Sequence, residues 1–284
     1  MQPPPEDTRG IVSPAEMFRH VDLQRCAPPV ELEGLIDWFW SVRWDLRMGF
    51  THHQDVVAQP GVNVSVGVGP APGPDPGPGP FPLLCTVTGV STAVSTRMLS
   101  GRGWNLAGKS TTGGFGAWCD DVSALTDHVV APTGLFAVEE CAVEAAFEAG
   151  SLEAGAAVLG SALLAALDSR PEVRVRLARD TAAVARSAEG DHTIRRVEQL
   201  AATAGVTVRT LQRMFASCAG VSPTWAIRRF RLIDAAELVA RGQDVDWSSV
   251  ATELGYADQA HLTRDFTSTL GISPAAYARA QRAP

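Results

Sequence analysis

Lysine is almost absent from this sequence of 284 residues, since Lys109 is the only one. Nearly every positive charge is therefore an arginine, whose planar guanidinium group suits bidentate contacts with phosphate and with guanine. Acidic residues outnumber basic ones by 31 to 24, and the formal net charge is −7. A uniformly basic chain is excluded, so any contact with nucleic acid must depend on where the arginines lie.

Paired cysteines and long apolar runs are also missing. The five cysteines are widely spaced without a C-x-x-C pair, so we interpret them as buried thiols, with a redox sensor as the alternative. No apolar stretch is long enough to cross a bilayer. The N-terminal residues 1–7 have neither the basic nor the apolar part of a signal peptide. We therefore expect a cytoplasmic protein without a membrane partner.

The first half of the chain shows the period of two that indicates β-strands. Residues 62–68 alternate with four valines, and residues 83–99 and 115–119 add β-branched and aromatic stretches broken by glycine. This pattern predicts a mainly antiparallel sheet, folded as a small barrel or sandwich. Residues 37–46 also alternate, and one face of that strand is predicted to hold Trp38, Trp40, Val42, Trp44 and Leu46.

Two glycine-containing stretches interrupt this half. Residues 69–82 consist largely of glycine and proline, and we interpret them as a disordered or polyproline hairpin insertion, with a proline-rich docking ligand as the alternative. Residues 103–110 fit the bare G-x-x-x-x-G-K-[ST] expression of a phosphate loop. Because a poor helix former follows, we interpret this stretch as a turn between strands. Apolar helical patterns at 138–149 and 152–167 predict helices that flank the sheet.

The histidines give little support for a metal site or an active site. His52 and His53 are adjacent, so on a strand they point to opposite faces, and His128 is far away in sequence. No H-x-H pattern and no nucleophile–base pair are present. We therefore expect no catalytic residues, no metal and no cofactor.

A helical pattern occurs twice in the second half of the chain. Residues 211–215 (LQRMF) return 51 positions later as residues 262–266 (LTRDF). Each copy follows a short helical stretch and a glycine turn, and each is followed by Gly-x-Ser-Pro. A short helix, a glycine turn and a second helix form the helix-turn-helix signature. The two predicted units span about 196–220 and 246–271.

Capping residues and apolar positions define these units further. Thr207, Asp246 and Asp258 are placed to cap helices, and a helix over 223–241 is predicted to join the units. From Asp191 onward there are 11 arginines and 9 acidic residues. The residues predicted to face inward are Leu211, Met214 and Phe215 in the first unit, and Leu262, Phe266 and Leu270 in the second.

Residues on the opposite faces are candidates for DNA contacts, either with bases or with phosphates. Arg213 and Arg264 occupy matching positions in the two copies, and an internal salt bridge is the alternative role for one of them. The full set of candidates is Arg209, Thr210, Gln212, Arg213, Gln259, His261, Thr263, Arg264 and Arg228.

The region 171–282 resembles the DNA-binding domain of AraC-type transcriptional regulators. The matching residues are Leu200-Ala201, Gly205, Leu211–Phe215, Gly220–Pro223, Ala251, Leu254–Tyr256, Leu262–Phe266 and Gly271–Tyr277. This resemblance implies an all-α domain whose two helix-turn-helix units enter successive major grooves roughly 34 Å apart. The first half resembles the poorly characterised domain that precedes this module in one subgroup, on the strength of residues 37–46, 59–63 and 99–103.

Together these observations predict an α+β chain of two domains. Residues 1–168 would form a β-rich sensor or dimerisation domain, and residues 171–284 the DNA-binding domain. We expect a sequence-specific transcription regulator that binds double-stranded DNA and is not an enzyme. A small-molecule effector, RNA polymerase and a second copy of the chain are the further partners considered. An enzymatic or a metal- or redox-sensing first domain is the alternative.

Overall fold

The computed structural model describes residues 10–69, 81–240 and 246–282. The strands are β1 Val21–Cys26, β2 Ile36–Asp45, β3 Thr51–Val56, β4 Asn63–Val68, β5 Leu83–Thr88, β6 Ser95–Ser100, β7 Arg102–Ser110 and β8 Val129–Val130. The helices are α1 Pro14–Met17, α2 Glu140–Ala149, α3 Leu152–Leu167, α4 Glu172–Gly190, α5 Val197–Thr203, α6 Val208–Ala219, α7 Pro223–Ala240, α8 Trp247–Glu253, α9 Gln259–Leu270 and α10 Pro274–Arg282. Short 3-10 helices lie at Val30–Leu32, Gly114–Ala117 and Val122–Leu125.

The strands form two antiparallel sheets. The larger sheet has the order β1-β2-β7-β4-β5-β8, and β3 pairs with β6 in a separate two-stranded sheet. The mainly antiparallel first half and the all-helical second half confirm the predicted α+β fold class. The loop predicted at 69–82 joins neighbouring strands, since Val68 pairs with Leu83. Residues 70–80 themselves lie outside the described residues.

Helices α2 and α3 cover one face of the larger sheet, near the bounds predicted from the sequence. Phe39 and Leu106 from the sheet share a core with Leu159 from α3, and none of the three side chains is exposed. Gly155 lets α3 approach this face, because a Cβ there would lie 2.6 Å from Leu106 Cδ1. A larger residue at 155 would push the helix off the sheet.

The face assignment predicted for residues 37–46 is only partly right. Trp44 and Leu46 are buried as predicted, but Phe39 and Ser41, on the opposite face, are 0% and 2% exposed. The reason is that both faces of β2 are covered. Helix α3 covers Phe39, while an apolar cluster around α1 and β1 packs against Trp44. A strand buried on both sides cannot be assigned an inner face from alternation alone.

Two predictions of secondary structure in the first half of the chain were wrong. Residues 103–110, predicted as a turn, belong to strand β7, which pairs with β2 on one side and β4 on the other. Its backbone groups therefore form the hydrogen bonds of the sheet. The side chain of Lys109 forms an ion pair, with Nζ 2.6 Å from Asp37 Oδ2. Residues 115–119, predicted as a β-stretch, begin within a 3-10 helix, because Gly113 reverses the chain there with a φ of +99°.

Helix α7 connects the two halves of the helical domain, as predicted. Ile227 and Phe230 join the core of the first helix-turn-helix unit, and Ile233 and Ala236 join that of the second. The first of these cores is continuous with that of the β-rich domain, while the second also includes Val57 at the end of β3. Among the described residues no helix is long and apolar enough to cross a membrane.

Candidate DNA-binding interface

The first helix-turn-helix unit is formed by α5 and α6. Gly205 makes the turn between them with a φ of +65°, a conformation that glycine adopts without strain. The Thr207 hydroxyl accepts a hydrogen bond from the Thr210 amide at 3.1 Å, which confirms the predicted cap. At the other end Gly220, with a φ of +74°, closes α6 by bonding Phe215 O. Both ends of α6 are thus fixed.

The second unit repeats this arrangement in α8 and α9. The Asp246 carboxylate accepts a hydrogen bond from the Ser248 amide at 3.0 Å, and Asp258 accepts one from the His261 amide at 2.6 Å. Gly255 makes the turn with a φ of +80°. Both predicted caps are confirmed. The side chain of Leu270 is not among those described.

Helix α6 divides into a buried and an exposed face. Leu211 and Phe215 are fully buried and Met214 is 9% exposed, as predicted from the helical period. Among the candidate DNA ligands, Arg209, Gln212 and Arg213 are exposed. Thr210 is half-buried, and its hydroxyl lies 2.9 Å from that of Thr207. It therefore belongs to the helix cap as well as to the candidate surface.

Helix α9 divides in the same way. Leu262 and Phe266 are fully buried, whereas Gln259, His261 and Arg264 are exposed and Thr263 is half-buried. The His261 ring packs edge-on against Tyr256, with 5.3 Å between centroids. Arg264 Nε donates to Ala260 O at 3.2 Å, which holds this side chain along the surface of its own helix. Arg213 and Arg264 thus occupy equivalent exposed positions.

The arginines at the start of α7 differ in accessibility. Arg228 is exposed, but Arg229 and Arg231 are only 1% and 3% exposed. Arg229 donates to Ala58 O and Ser91 O, in the β-rich domain, and Arg231 donates to Asp191 O. Burial lowers the pKa of Arg229 to about 10, so this side chain stays charged at neutral pH. Of these three arginines, only Arg228 is exposed to solvent.

Comparison with known proteins decides what these units are. Residues 200–280 match the family described as a helix-turn-helix domain, and residues 24–131 match a domain of unknown function (DUF6597). The chain is 35% identical over the matched region to the DNA-binding domain of AdpA, a global transcriptional factor, in complex with a target DNA. That match covers 36% of this chain and 93% of the AdpA domain, with a TM-score of 0.34. Residues 200–280 of this chain belong to the helix-turn-helix family of AraC-type DNA-binding transcription regulators.

Other solved structures match with lower identity. A Chromobacterium violaceum transcriptional regulator, described by its AraC-type DNA-binding domain, is 18% identical, with coverage of 37% of this chain and 94% of the other and a TM-score of 0.35. ToxT from Vibrio cholerae is 10% identical over 93% of this chain and 98% of its own, with a TM-score of 0.39. No curated protein matches this chain.

In this AraC-type regulator the first unit is tied to the β-rich domain by polar contacts. Arg174 on α4 donates to Gly116 O at 2.8 Å and Cys119 O at 2.6 Å, and to Ser217 Oγ on α6 at 3.0 Å. Thr126 Oγ1 also donates to Gly220 O at 2.7 Å. These bonds fix the C-terminal end of α6 against the 3-10 segments of the other domain.

The roles of Arg174 and Arg229 were not found in the sequence. Both lie in stretches that read as ordinary helix, and their partners are backbone carbonyls 43 to 171 positions away. Carbonyl acceptors leave no sequence signature, since every residue carries one.

Proposed function

We propose that this regulator binds an asymmetric DNA site through α6 and α9, which enter two successive major grooves. The observation that carries the proposal is the repeat in three dimensions. Each helix rests on a fully buried leucine and phenylalanine and presents an exposed arginine two positions after the leucine. Since the exposed side chains of the two helices differ, the two half-elements of DNA should differ in sequence as well.

Each candidate side chain has a chemistry suited to DNA. Arg213 and Arg264 can donate two hydrogen bonds to guanine O6 and N7, and Gln212 and Gln259 can pair with adenine N6 and N7. Phosphate contacts are the roles proposed for the remaining candidates, namely Arg209, Thr210, His261, Thr263 and Arg228. Because four of the nine candidates are arginines, binding should weaken as salt rises.

The β-rich domain is proposed to regulate the DNA-binding domain. Arg174 and Arg229 both connect it to the helical domain through hydrogen bonds to backbone carbonyls. A small-molecule effector in the β-rich domain, or a second copy of the chain bound there, could therefore change how the first unit is held. Thermal stabilisation by a screened metabolite would support an effector, whereas dimerisation that depends on concentration would support assembly. Recruitment of RNA polymerase is proposed as the output.

Selection of bound DNA from a random pool tests the main proposal. The full chain should select a bipartite, non-palindromic site. Arg213→Ala should relax the sequence preference in one half-element and Arg264→Ala in the other, each at a cost of about 1–3 kcal/mol. If an arginine contacts phosphate instead, its variant should bind all sequences less tightly and show a smaller salt slope.

Arg47→Ala is the matched control, because Arg47 is an exposed arginine of the β-rich domain. That variant should select the same site as the wild type. Recovery of no preferred sequence, or of a perfect palindrome as the minimal site of one chain, would contradict the proposal. An enzymatic first domain is the alternative, and purified protein that turns over a substrate without DNA would favour it.

A further inference from the structure

Three potential metal ligands meet at the N-terminal edge of the β-rich domain. Glu16 lies in α1, His20 in the turn after it, and His52 in β3. The ligand atoms of the three side chains all lie within 4.8 Å of one another. Glu16 Oε1 is 3.1 Å from His20 Nε2, and the rings of His20 and His52 are 5.0 Å apart at their centroids.

The hydrogen bonds around His52 place the lone pair of its ring on Nδ1. Gln54 Nε2 donates to Val12 O at 2.7 Å and to Asp55 O at 2.8 Å, which fixes the orientation of the amide. Gln54 Oε1 is therefore the acceptor that lies 3.2 Å from His52 Nε2, so this ring nitrogen carries the proton. In a neutral imidazole the other nitrogen then has the lone pair. An outer hydrogen bond of this kind is the usual support of a metal-bound histidine.

The charge of the cluster also suits a cation. Glu16 supplies a negative charge, and Arg19 Nη1 donates at 2.9 Å to its other carboxylate oxygen, Oε2. Oε1 is the oxygen that faces His20. Two imidazoles and one carboxylate form a ligand set that holds Zn²⁺ and leaves a fourth position for water or another ligand.

We propose that Glu16, His20 and His52 bind a divalent transition-metal ion of the zinc class. Small side-chain movements bring the ligand atoms to the spacing of a tetrahedral ion, since Glu16 is half-exposed and belongs to a one-turn helix. The metal would connect α1 to β3. The residue after β3, Val57, is 1% exposed and packs in the core of the second helix-turn-helix unit, so metal binding should stabilise the chain next to that unit.

The sequence analysis did not predict that Glu16, His20 and His52 lie together. His52 is adjacent to His53, which is exposed on the other face of β3 as predicted. The signal that could have been used is the E-x-x-x-H spacing of Glu16 and His20, which places two ligands on one side of a helical turn. Their approach to His52 depends on how the N-terminal segment packs on β3, which local patterns do not specify.

Calorimetric titration of the metal-free full chain with Zn²⁺ tests the proposal. The wild type should bind one equivalent, and the same binding event should be lost in Glu16→Gln and His20→Ala. Gln54→Ala should weaken it about 10–100-fold, as expected for loss of an outer hydrogen bond. His53→Ala and Cys141→Ser should bind as the wild type does, because both residues are exposed and outside the cluster.

Co²⁺ absorption separates this site from adventitious binding. A tetrahedral Co²⁺ spectrum should appear with the wild type and with His53→Ala, and it should be absent from His20→Ala. Both variants should retain the wild-type thermal midpoint without metal, so a loss of folding is excluded as the cause. The proposal is overturned if the wild type binds no Zn²⁺, or if Glu16→Gln and His20→Ala bind it as tightly as His53→Ala does.

Discussion

The two helix-turn-helix units share a sequence pattern but differ in how the rest of the chain holds them. The first unit shares a continuous apolar core with the β-rich domain, and Arg174 and Thr126 add hydrogen bonds across that boundary. The second unit has its own cluster, to which the β-rich domain contributes Val57 and the partly buried Val12 and Val94. The repeated sequence therefore specifies two similar local folds, and the flanking domain makes their surroundings unequal.

The different packing of the two helix-turn-helix units suggests that they differ in mobility. A unit that is part of the main core must keep its position unless that core rearranges. A unit held by a smaller apolar cluster can open at a lower free energy. We therefore expect α6 to keep a fixed orientation to the β-rich domain and α9 to be the more adjustable helix.

Core truncation should show the largest difference between the units. Phe215→Ala and Phe266→Ala each remove a fully buried ring and should each cost about 3–5 kcal/mol. Phe215→Ala should reduce hydrogen-exchange protection in β2 and β7 as well as in α6. Phe266→Ala should reduce it mainly in α8, α9 and α10. Equal loss of protection in β2 and β7 for both variants would show that the units are held alike.

Removal of the polar anchor should have the next largest effect. Arg174→Ala takes away hydrogen bonds to three carbonyls of the β-rich domain and to Ser217. Because these are charged hydrogen bonds that are largely buried, we expect a loss of about 3 kcal/mol in the free energy of unfolding. Arg176→Ala is the control, since Arg176 is 68% exposed and pairs with Glu172 on the same helix. Its cost should be at most about 0.5 kcal/mol.

Acidification should distinguish the units by a smaller effect. Hydrogen bonds from the Ser249 side chain and the Ser248 amide hold the pKa of Asp246 below its usual value. This stabilisation of α8 is complete above the unfolded-state pKa near 4 and is lost as pH falls through the lower folded-state pKa. The first helix of the other unit is capped by the neutral Gln199 side chain, which accepts from the Arg196 amide at 3.0 Å.

Hydrogen exchange at pH 5 and pH 3 measures this difference. Amides of α8 should lose protection relative to those of α5, and Asp246→Asn should reduce the difference between the two pH values. An equal loss in α5 and α8 would assign the acid sensitivity to other carboxylates.

Local features of this chain were predictable from its sequence, and long-range ones were not. The caps Thr207 and Asp258 and the buried positions Leu211 and Phe266 follow from residues three or four positions apart, and the structure confirms them. The burial of Phe39 was missed, because it depends on a helix more than 100 positions away.

The burial of charged side chains was likewise not predictable from the local sequence. The buried Arg229 looked no different in sequence from the exposed Arg228, although only the first bonds to the β-rich domain. Tertiary packing decides whether an arginine binds backbone carbonyls or faces solvent. The spacing of residues in the local sequence does not encode this packing.

One chain is proposed to contact DNA with both α6 and α9, and hydroxyl-radical footprinting on the selected site tests this most directly. The wild type should protect two tracts about 10–10.5 base pairs apart, centre to centre. Phe266→Ala should leave only the tract that Arg213→Ala affects. A wild-type footprint with a single tract, or two tracts that both persist in Phe266→Ala, would contradict DNA contact by both helices.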